Sequence, residues 1–126
     1  MNLVGFYTEL DPNGNFSQGS IYDAISDVPQ PEEELLASYL DQGHPLVDFT
    51  ETTRDVIDGT GVIIGGSSLR SDNTWVWRID LSHYVRKAHL VLPAEFTSHV
   101  QAHGFTVPAP DREQLIMRAQ EYFSRH

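Results

Sequence analysis

Histidine and carboxylate side chains recur along one predicted helix in the C-terminal half of the chain. Glu95, His99 and His103 follow one another at intervals of four residues, and residues at this spacing share a helix face. Imidazole and carboxylate groups are ligands of Zn²⁺. Since the first and third residues lie about 12 Å apart along the helix axis, a closed metal site would also need His83 or His89 from the preceding helix. The alternative, which we favour, is that these histidines lie on a solvated helix face.

A second combination of carboxylate and imidazole occurs at Asp80 and His83, three residues apart. Such a pair can act in acid–base catalysis. The same spacing also makes Asp80 a helix N-cap and His83 an ordinary residue of the first turn, and we favour this interpretation. The chain contains no cysteine, and no serine follows a nucleophile-elbow pattern. The sequence therefore predicts no catalytic residue and no cofactor.

Negative charge is concentrated in the first sixty residues. The formal net charge is −10, and residues 1–60 contain twelve acidic side chains and a single basic one, Arg54. An acidic surface repels nucleic acid and anionic lipid headgroups and favours cationic partners. Three glutamates in a row also suit the first turn of a helix, and acidity alone can serve solubility. If the charge is functional, we expect the binding residues to be Glu32, Glu33, Glu34, Asp55 and Asp58.

The bulk properties predict one globular domain that spans residues 1–126. A hydrophobic share of 40% at this length is enough to build a core without disulfides or metals. The N-terminus has no basic region, and no apolar run approaches about 18 residues, so we expect neither a signal peptide nor a membrane span. The absence of cysteine favours a cytoplasmic protein.

Alternating and helical patterns predict an α+β fold, with a small antiparallel sheet of about four to five strands and about five short helices packed mainly on one face. The first strand is expected to end before a turn at Asn13-Gly14. Strands are predicted at residues 3–10, 45–49, 61–64, 67–71 and 74–79, and residues 51–60 are expected to be irregular. Helices are expected to begin near Ser20, Pro31, Leu81, Pro93 and Arg112.

The two tryptophans lie on a predicted β-hairpin. Asp72 and Asn73 suit the left-handed backbone of a two-residue turn, which would place Arg70 opposite Trp75. Alternate residues of a strand share a face, so Trp75 and Trp77 point to the same side. We expect helices to cover that side, because two indoles contribute a large apolar area. An exposed tryptophan pair would instead indicate a binding surface.

Several of these segments together form a recognisable pattern of turns, caps and aromatic residues. They lie at residues 36–40, 72–73, 75–77, 80–85, 92–96 and 104–108. The pattern resembles a family of small, uncharacterised bacterial proteins of the actinomycete type. Asn73 stands where that family usually has glycine, and His83 stands where it has tyrosine. The resemblance supports the predicted fold and implies no activity.

We therefore expect a non-enzymatic acidic binding or regulatory protein, comparable to a toxin-neutralising immunity protein, whose N-terminal half receives a basic partner. Neither nucleic acid nor membrane is expected as a partner. The charge asymmetry favours this function, since no catalytic spacing is convincing. The alternative is a metal-dependent or acid–base enzyme that uses the histidine cluster of His83, His89, Glu95, His99 and His103.

Overall fold

The computed structural model describes residues 2–11, 14 and 16–125. Its strands are β1 (Asn2–Leu3), β2 (His44–Val47), β3 (Thr52–Arg54), β4 (Val62–Ile64), β5 (Leu69–Ser71) and β6 (Trp75–Arg78). Its α-helices are α1 (Glu33–Asp41), α2 (Leu81–Ala88), α3 (Ala94–Ala102) and α4 (Arg112–Arg125). The predicted α+β class is confirmed. The helix expected near Ser20 is a single 3₁₀ turn, Ile21–Asp23, and Asn13 of the predicted turn lies outside the described residues.

The main sheet is mixed, whereas the sequence predicted an antiparallel one. Its strand order is β1-β6-β5-β2, and β1 pairs with β6 in parallel, with Asn2 opposite Trp75. The first strand is only two residues long because Gly5 takes a left-handed backbone conformation (φ 81°) and Thr8–Leu10 forms a 3₁₀ turn. Because β1 and β6 lie far apart in the sequence, local patterns do not indicate whether they pair in parallel or antiparallel.

Strands β3 and β4 form a separate two-stranded hairpin. The β3 residues lie within the stretch that was expected to be irregular, and β4, which was expected to be a buried strand of the main sheet, is not part of it. Val62 and Ile64 are 65% and 82% exposed, while Ile63 between them packs against the core. An isolated hairpin buries only one of its faces, which explains why an apolar run is found at the surface.

The β5–β6 hairpin has the predicted position but a different register. Arg70 lies opposite Trp77, not opposite Trp75. The carboxylate of Asp72 causes the shift, because its Oδ1 accepts hydrogen bonds from the backbone N–H groups of Thr74 (3.0 Å) and Trp75 (2.7 Å). These bonds favour a longer loop than the predicted two residues. A shift by two residues leaves every side chain on its predicted face.

The tryptophan face of the sheet is covered by helices, and this prediction is confirmed. Trp75 and Trp77 are 7% and 0% exposed. Phe96 of α3 lies edge-on to both indoles, with ring centroids 5.2 and 5.9 Å away. Tyr39 of α1 lies 6.0 Å from Trp77. The aromatic rings thereby join α1, α3 and β6 into one core.

The opposite face of the sheet carries a second, smaller core. Leu69 and Val76 lie there in one cluster with Phe6, Phe16 and Tyr122. Tyr122 belongs to α4, which also packs against β2. The last helix is therefore separate from α1, α2 and α3, and it begins as predicted, since Asp111 Oδ1 accepts the N–H of Gln114 at 3.2 Å.

Candidate functional site

Helix α2 directs basic side chains towards acidic residues of the N-terminal half. The guanidinium of Arg86 donates to both carboxylate oxygens of Glu34 and, at 2.8 Å, to Asp41. The hydrogen bond from Arg86 holds the pKa of Glu34 below its usual value. The bonds to Glu34 and Asp41 raise the pKa of Arg86. Glu34 and Arg86 are therefore both charged at neutral pH and neutralise each other in part.

The buried carboxylate of Asp55 is the centre of the second contact of α2. Its Oδ2 accepts hydrogen bonds from His83 Nε2 at 2.6 Å and Lys87 Nζ at 2.9 Å. Its Oδ1 accepts the backbone N–H groups of Ile57 and Asp58, both at 2.9 Å. Burial alone would raise the pKa of Asp55, but these four bonds together hold it well below its usual range. Asp55 therefore anchors the loop before β4 to α2.

The remaining acids of the predicted binding set differ in their contacts. Glu33 binds His89 Nδ1 at 2.9 Å, and Asp58 accepts a bond of 2.6 Å from Lys87 Nζ. The side chain of Glu32 is exposed and has no partner among the described residues. Four of the five predicted binding acids thus hold α2 in place, a role that chain order alone does not indicate.

The histidines of the predicted metal cluster are engaged in separate contacts. His99 Nε2 lies 2.9 Å from Asp72 Oδ2, which also accepts the hydroxyl of Tyr39 at 2.5 Å. His103 Nδ1 lies 2.9 Å from the carbonyl oxygen of His99, and Glu95 is exposed. His83 of α2 and His89 directly after it are bonded to Asp55 and Glu33. Within the described part of the chain, no three His, Cys, Asp or Glu residues are grouped so that they could hold a metal ion.

The alternative dyad of Asp80 and His83 does not form, because His83 contacts Asp55. Asp80 is the N-cap residue of α2, as favoured, but its side chain makes no cap bond and instead accepts two bonds from Arg78, Nε to Oδ1 at 3.1 Å and Nη2 to Oδ2 at 2.9 Å. Burial raises the pKa of Asp80, while the Arg78 charge opposes this effect. Arg78 Nη1 also donates to the carbonyl oxygen of Leu10. This buried ion pair was not predicted, although strand alternation places Arg78 opposite the tryptophan face.

Exposed acidic side chains are found from the end of the 3₁₀ turn Ile21–Asp23 to the start of α1. Asp23, Asp27 and Glu32 are exposed, and their carboxylates have no hydrogen-bond or ion-pair partner among the residues that the structure describes. Ala24 and Ile25 of this segment pack against the core, whereas the three acidic side chains face solvent. The segment is a smaller acidic region than the whole N-terminal half that the sequence suggested.

Large apolar side chains are exposed beside these acids. Tyr22, Val28 and Val91 are each more than half exposed. Val91 lies next to the acidic segment because its N–H donates to the carbonyl oxygen of Ala24 at 2.8 Å. We refer to residues 22–32 together with Val91 as the 22–32 surface.

A cavity of about 410 Å³ adjoins the 22–32 surface. Asp23 and Val91 of the 22–32 surface line it, together with Tyr7 and Pro93. Burial raises the pKa of Tyr7 to about 12, so its hydroxyl stays protonated at neutral pH. The 22–32 surface is therefore indented and combines negative charge with apolar walls.

Comparison of the chain with protein-family models, curated proteins and solved structures gave no match. The resemblance to the actinomycete family accordingly rests on the sequence motifs alone and stays a prediction. Among the helices of the described residues, none has the length and apolar character that a membrane span requires.

Proposed function

We propose that the protein is a non-enzymatic, cytoplasmic binding protein whose 22–32 surface receives a basic protein partner, in the manner of an immunity protein or a small regulator. The observation that carries the proposal is the exposure of Asp23, Asp27 and Glu32 without partners among the described residues. Carboxylates that are not engaged within the chain remain available to cationic groups of another protein. Complementary charge increases the rate at which such partners meet.

The apolar groups of the 22–32 surface support the same function. Tyr22 and Val28 supply exposed apolar area next to the acids, and interfaces typically combine a hydrophobic centre with a polar rim. Tyr22 also has a fixed position, since its hydroxyl donates to the carbonyl oxygen of Val56 at 2.8 Å. An anchored aromatic side chain loses little conformational entropy on binding.

The alternative of a metal-dependent or acid–base enzyme has less support. Its histidines contact different acids, His83 with Asp55 and His99 with Asp72, and each contact links elements of the fold. Neither dyad lines the cavity beside the 22–32 surface. We therefore treat both dyads as structural.

The proposal can be tested by charge reversal on the 22–32 surface. A partner would first be captured at low ionic strength from the cells that produce the protein and then identified. Its association rate would be measured by stopped flow with the wild type and with the double variant Asp27→Lys/Glu32→Lys. The matched control is Glu95→Lys/Glu113→Lys, which makes the same charge change on α3 and α4, where both acids are exposed.

We expect the wild-type rate to fall steeply as salt rises, because screening shortens the reach of exposed charges to about 8–10 Å near physiological ionic strength. The Asp27→Lys/Glu32→Lys variant should associate at least about tenfold more slowly at low salt, in the range of electrostatic steering. The control variant should be affected much less. An acidic partner, or a rate that is independent of salt, would refute the proposal.

A further inference from the structure

A cavity of about 360 Å³ opens on the face of the main sheet opposite the tryptophans. Its volume lies within the range of small-molecule sites, about 300–1,000 Å³. Four aromatic residues form its walls: Phe6, Phe16, Phe49 and Tyr122. The rings of Phe16 and Tyr122 are stacked, with centroids 5.0 Å apart and planes at 12°, and Phe6 packs against Phe16 at 5.7 Å. These contacts hold the walls in position.

The single basic group among the residues that line this cavity is already neutralised. Arg78 contributes to the lining, but it is largely buried and makes two hydrogen bonds to Asp80, which is 1% exposed. A third bond links it to the carbonyl oxygen of Leu10. An anion that entered the cavity would have to compete with Asp80 for this guanidinium.

Two carboxylates contribute negative charge to the same cavity. Asp11 and Glu51 both line it. One oxygen of each is bonded within the chain, Asp11 Oδ2 to the N–H of Phe16 at 2.7 Å and Glu51 Oε1 to the hydroxyl of Ser67 at 2.6 Å. The second oxygen of each carboxylate has no hydrogen-bond partner among the described residues. The cavity therefore combines aromatic walls with the negative charge of two carboxylates.

The charged groups that line the cavity act on the pKa of the Tyr122 hydroxyl. Burial raises the pKa of Tyr122, the Arg78 charge lowers it, and the carboxylates of Asp11 and Glu51 raise it further. The negative charges of Asp11 and Glu51 and the positive charge of Arg78 therefore have opposite effects on the pKa of this hydroxyl.

We propose that this cavity binds a small organic cation with an apolar body, such as a quaternary ammonium compound. Aromatic rings attract cations through their negative faces, and the two carboxylates add to that attraction while they repel anions. A neighbouring cavity of about 290 Å³ shares Leu10, Glu51, Ser67 and Arg78 with this one and is also lined by Glu9 and Arg54. The aromatic side of the larger cavity takes the cationic end of the ligand. The site involves none of the acids of the 22–32 surface and is independent of the proposed function.

Two probes of matched shape test the proposal, because choline and 3,3-dimethylbutan-1-ol differ only in the charged nitrogen. Each would be titrated into the ¹⁵N- and ¹³C-labelled wild type, and binding would be followed by NMR at the resonances of the cavity walls. We expect saturable shifts with choline and about tenfold weaker binding of the neutral alcohol, in line with the strength of cation–π contacts. Benzoate, an aromatic anion, should bind more weakly than choline.

Substitutions locate the site and separate the contribution of carboxylate charge from that of the aromatic walls. Glu51→Gln removes one charge from an exposed residue, and Phe49→Leu removes a partly buried ring while keeping an apolar side chain. Each should weaken choline binding several-fold, whereas Glu95→Gln on α3 removes one charge from the other side of the sheet and should leave it unchanged. The proposal is wrong if the alcohol binds as tightly as choline, if benzoate binds more tightly, if choline shifts no cavity resonance, or if Glu51→Gln and Glu95→Gln weaken binding equally.

Discussion

The indole Nε1 of Trp77 donates a hydrogen bond of 3.1 Å to the carbonyl oxygen of Leu40 in the last turn of α1. The final carbonyls of a helix lack their usual partner four residues on; that of Leu40 accepts the N–H of Gly43 at 3.3 Å and the indole N–H as a further donor. It also joins β6 to α1 at a point where Trp77 is completely buried. The tryptophan therefore contributes both apolar area and a directional contact to the main core.

We expect Trp77→Ala to be strongly destabilising, by about 3–5 kcal/mol, as is typical of large aromatic residues removed from a core. Urea denaturation followed by circular dichroism measures this loss. Intrinsic fluorescence is an independent check, because two buried indoles should emit at short wavelength in the folded protein and shift to the red on unfolding. Emission at the solvent value before denaturation would show that the tryptophan face is not covered.

Gly43 is required by the closeness of its neighbours. An added Cβ would lie 2.6 Å from Cζ2 of Trp77 and 2.8 Å from Cβ of Arg70. We expect Gly43→Ala to lower the free energy of unfolding by about 1–3 kcal/mol, as overpacking typically does. Gly61→Ala is the matched control, since its Cβ would come no nearer than 3.6 Å to Asp55. Equal urea midpoints for the two variants would contradict this explanation.

Local patterns were sufficient to predict much of this fold. The cap at Asp111 depends only on residues that are close in the sequence. The shared face of Trp75 and Trp77 follows from the two-residue period of a strand. The face assignment remained correct although the register moved by two residues, because such a shift does not change which side a residue faces. The register itself was wrong because the side chain of Asp72 lengthens the turn, and hydrogen bonds of side chains are not visible in a propensity pattern.

Contacts between distant segments could not be predicted. The charge count treated residues 1–60 as one acidic surface, but helix packing brings Arg86 and Lys87 of α2 against Glu34 and Asp55. The parallel pairing of β1 with β6 and the hydrogen bond from Arg78 to the carbonyl oxygen of Leu10 have the same origin. In each case the sequence shows the residue types, and only the fold determines which of them meet.

The arrangement of side chains around α3 predicts weak metal binding. His99 Nε2 is bonded to Asp72 and His103 Nδ1 to the His99 carbonyl oxygen, and among the described residues no third His, Cys, Asp or Glu is grouped with them to complete a metal site. Calorimetric titration with Zn²⁺ should show no saturable site tighter than about tens of micromolar, far weaker than structural zinc sites. A tight one-to-one isotherm that His99→Ala abolishes, and that His44→Ala leaves intact, would instead support the metalloenzyme alternative.

The bonding of Asp55 predicts a specific dependence of stability on pH. Asp55→Asn removes the charge that His83 and Lys87 contact, while it keeps an oxygen that can accept backbone N–H groups. We expect a loss of about 2 kcal/mol at pH 7, the usual size for hydrogen bonds to a charged group. Asp58→Asn, at the exposed end of the same contact, should cost much less, because exposed ion pairs contribute little. Urea denaturation of both variants at pH 7 measures this difference.

The pKa of Asp55 is lowered in the folded state, so the unfolded chain takes up the proton at a higher pH than the folded protein does. The stability that this carboxylate contributes is therefore complete above its ordinary pKa of about 4 and is lost as pH falls further, towards the lower pKa of the folded state. Carboxylates that do not contact His83 or Lys87 titrate in the wild type and in Asp55→Asn alike, so their effects cancel in the comparison. The difference in unfolding free energy between the two proteins should accordingly shrink between pH 5 and pH 2, as about 4 is the midpoint of the unfolded titration. A difference that stayed constant or grew in acid would show that Asp55 is not held as a charged acceptor by His83 and Lys87.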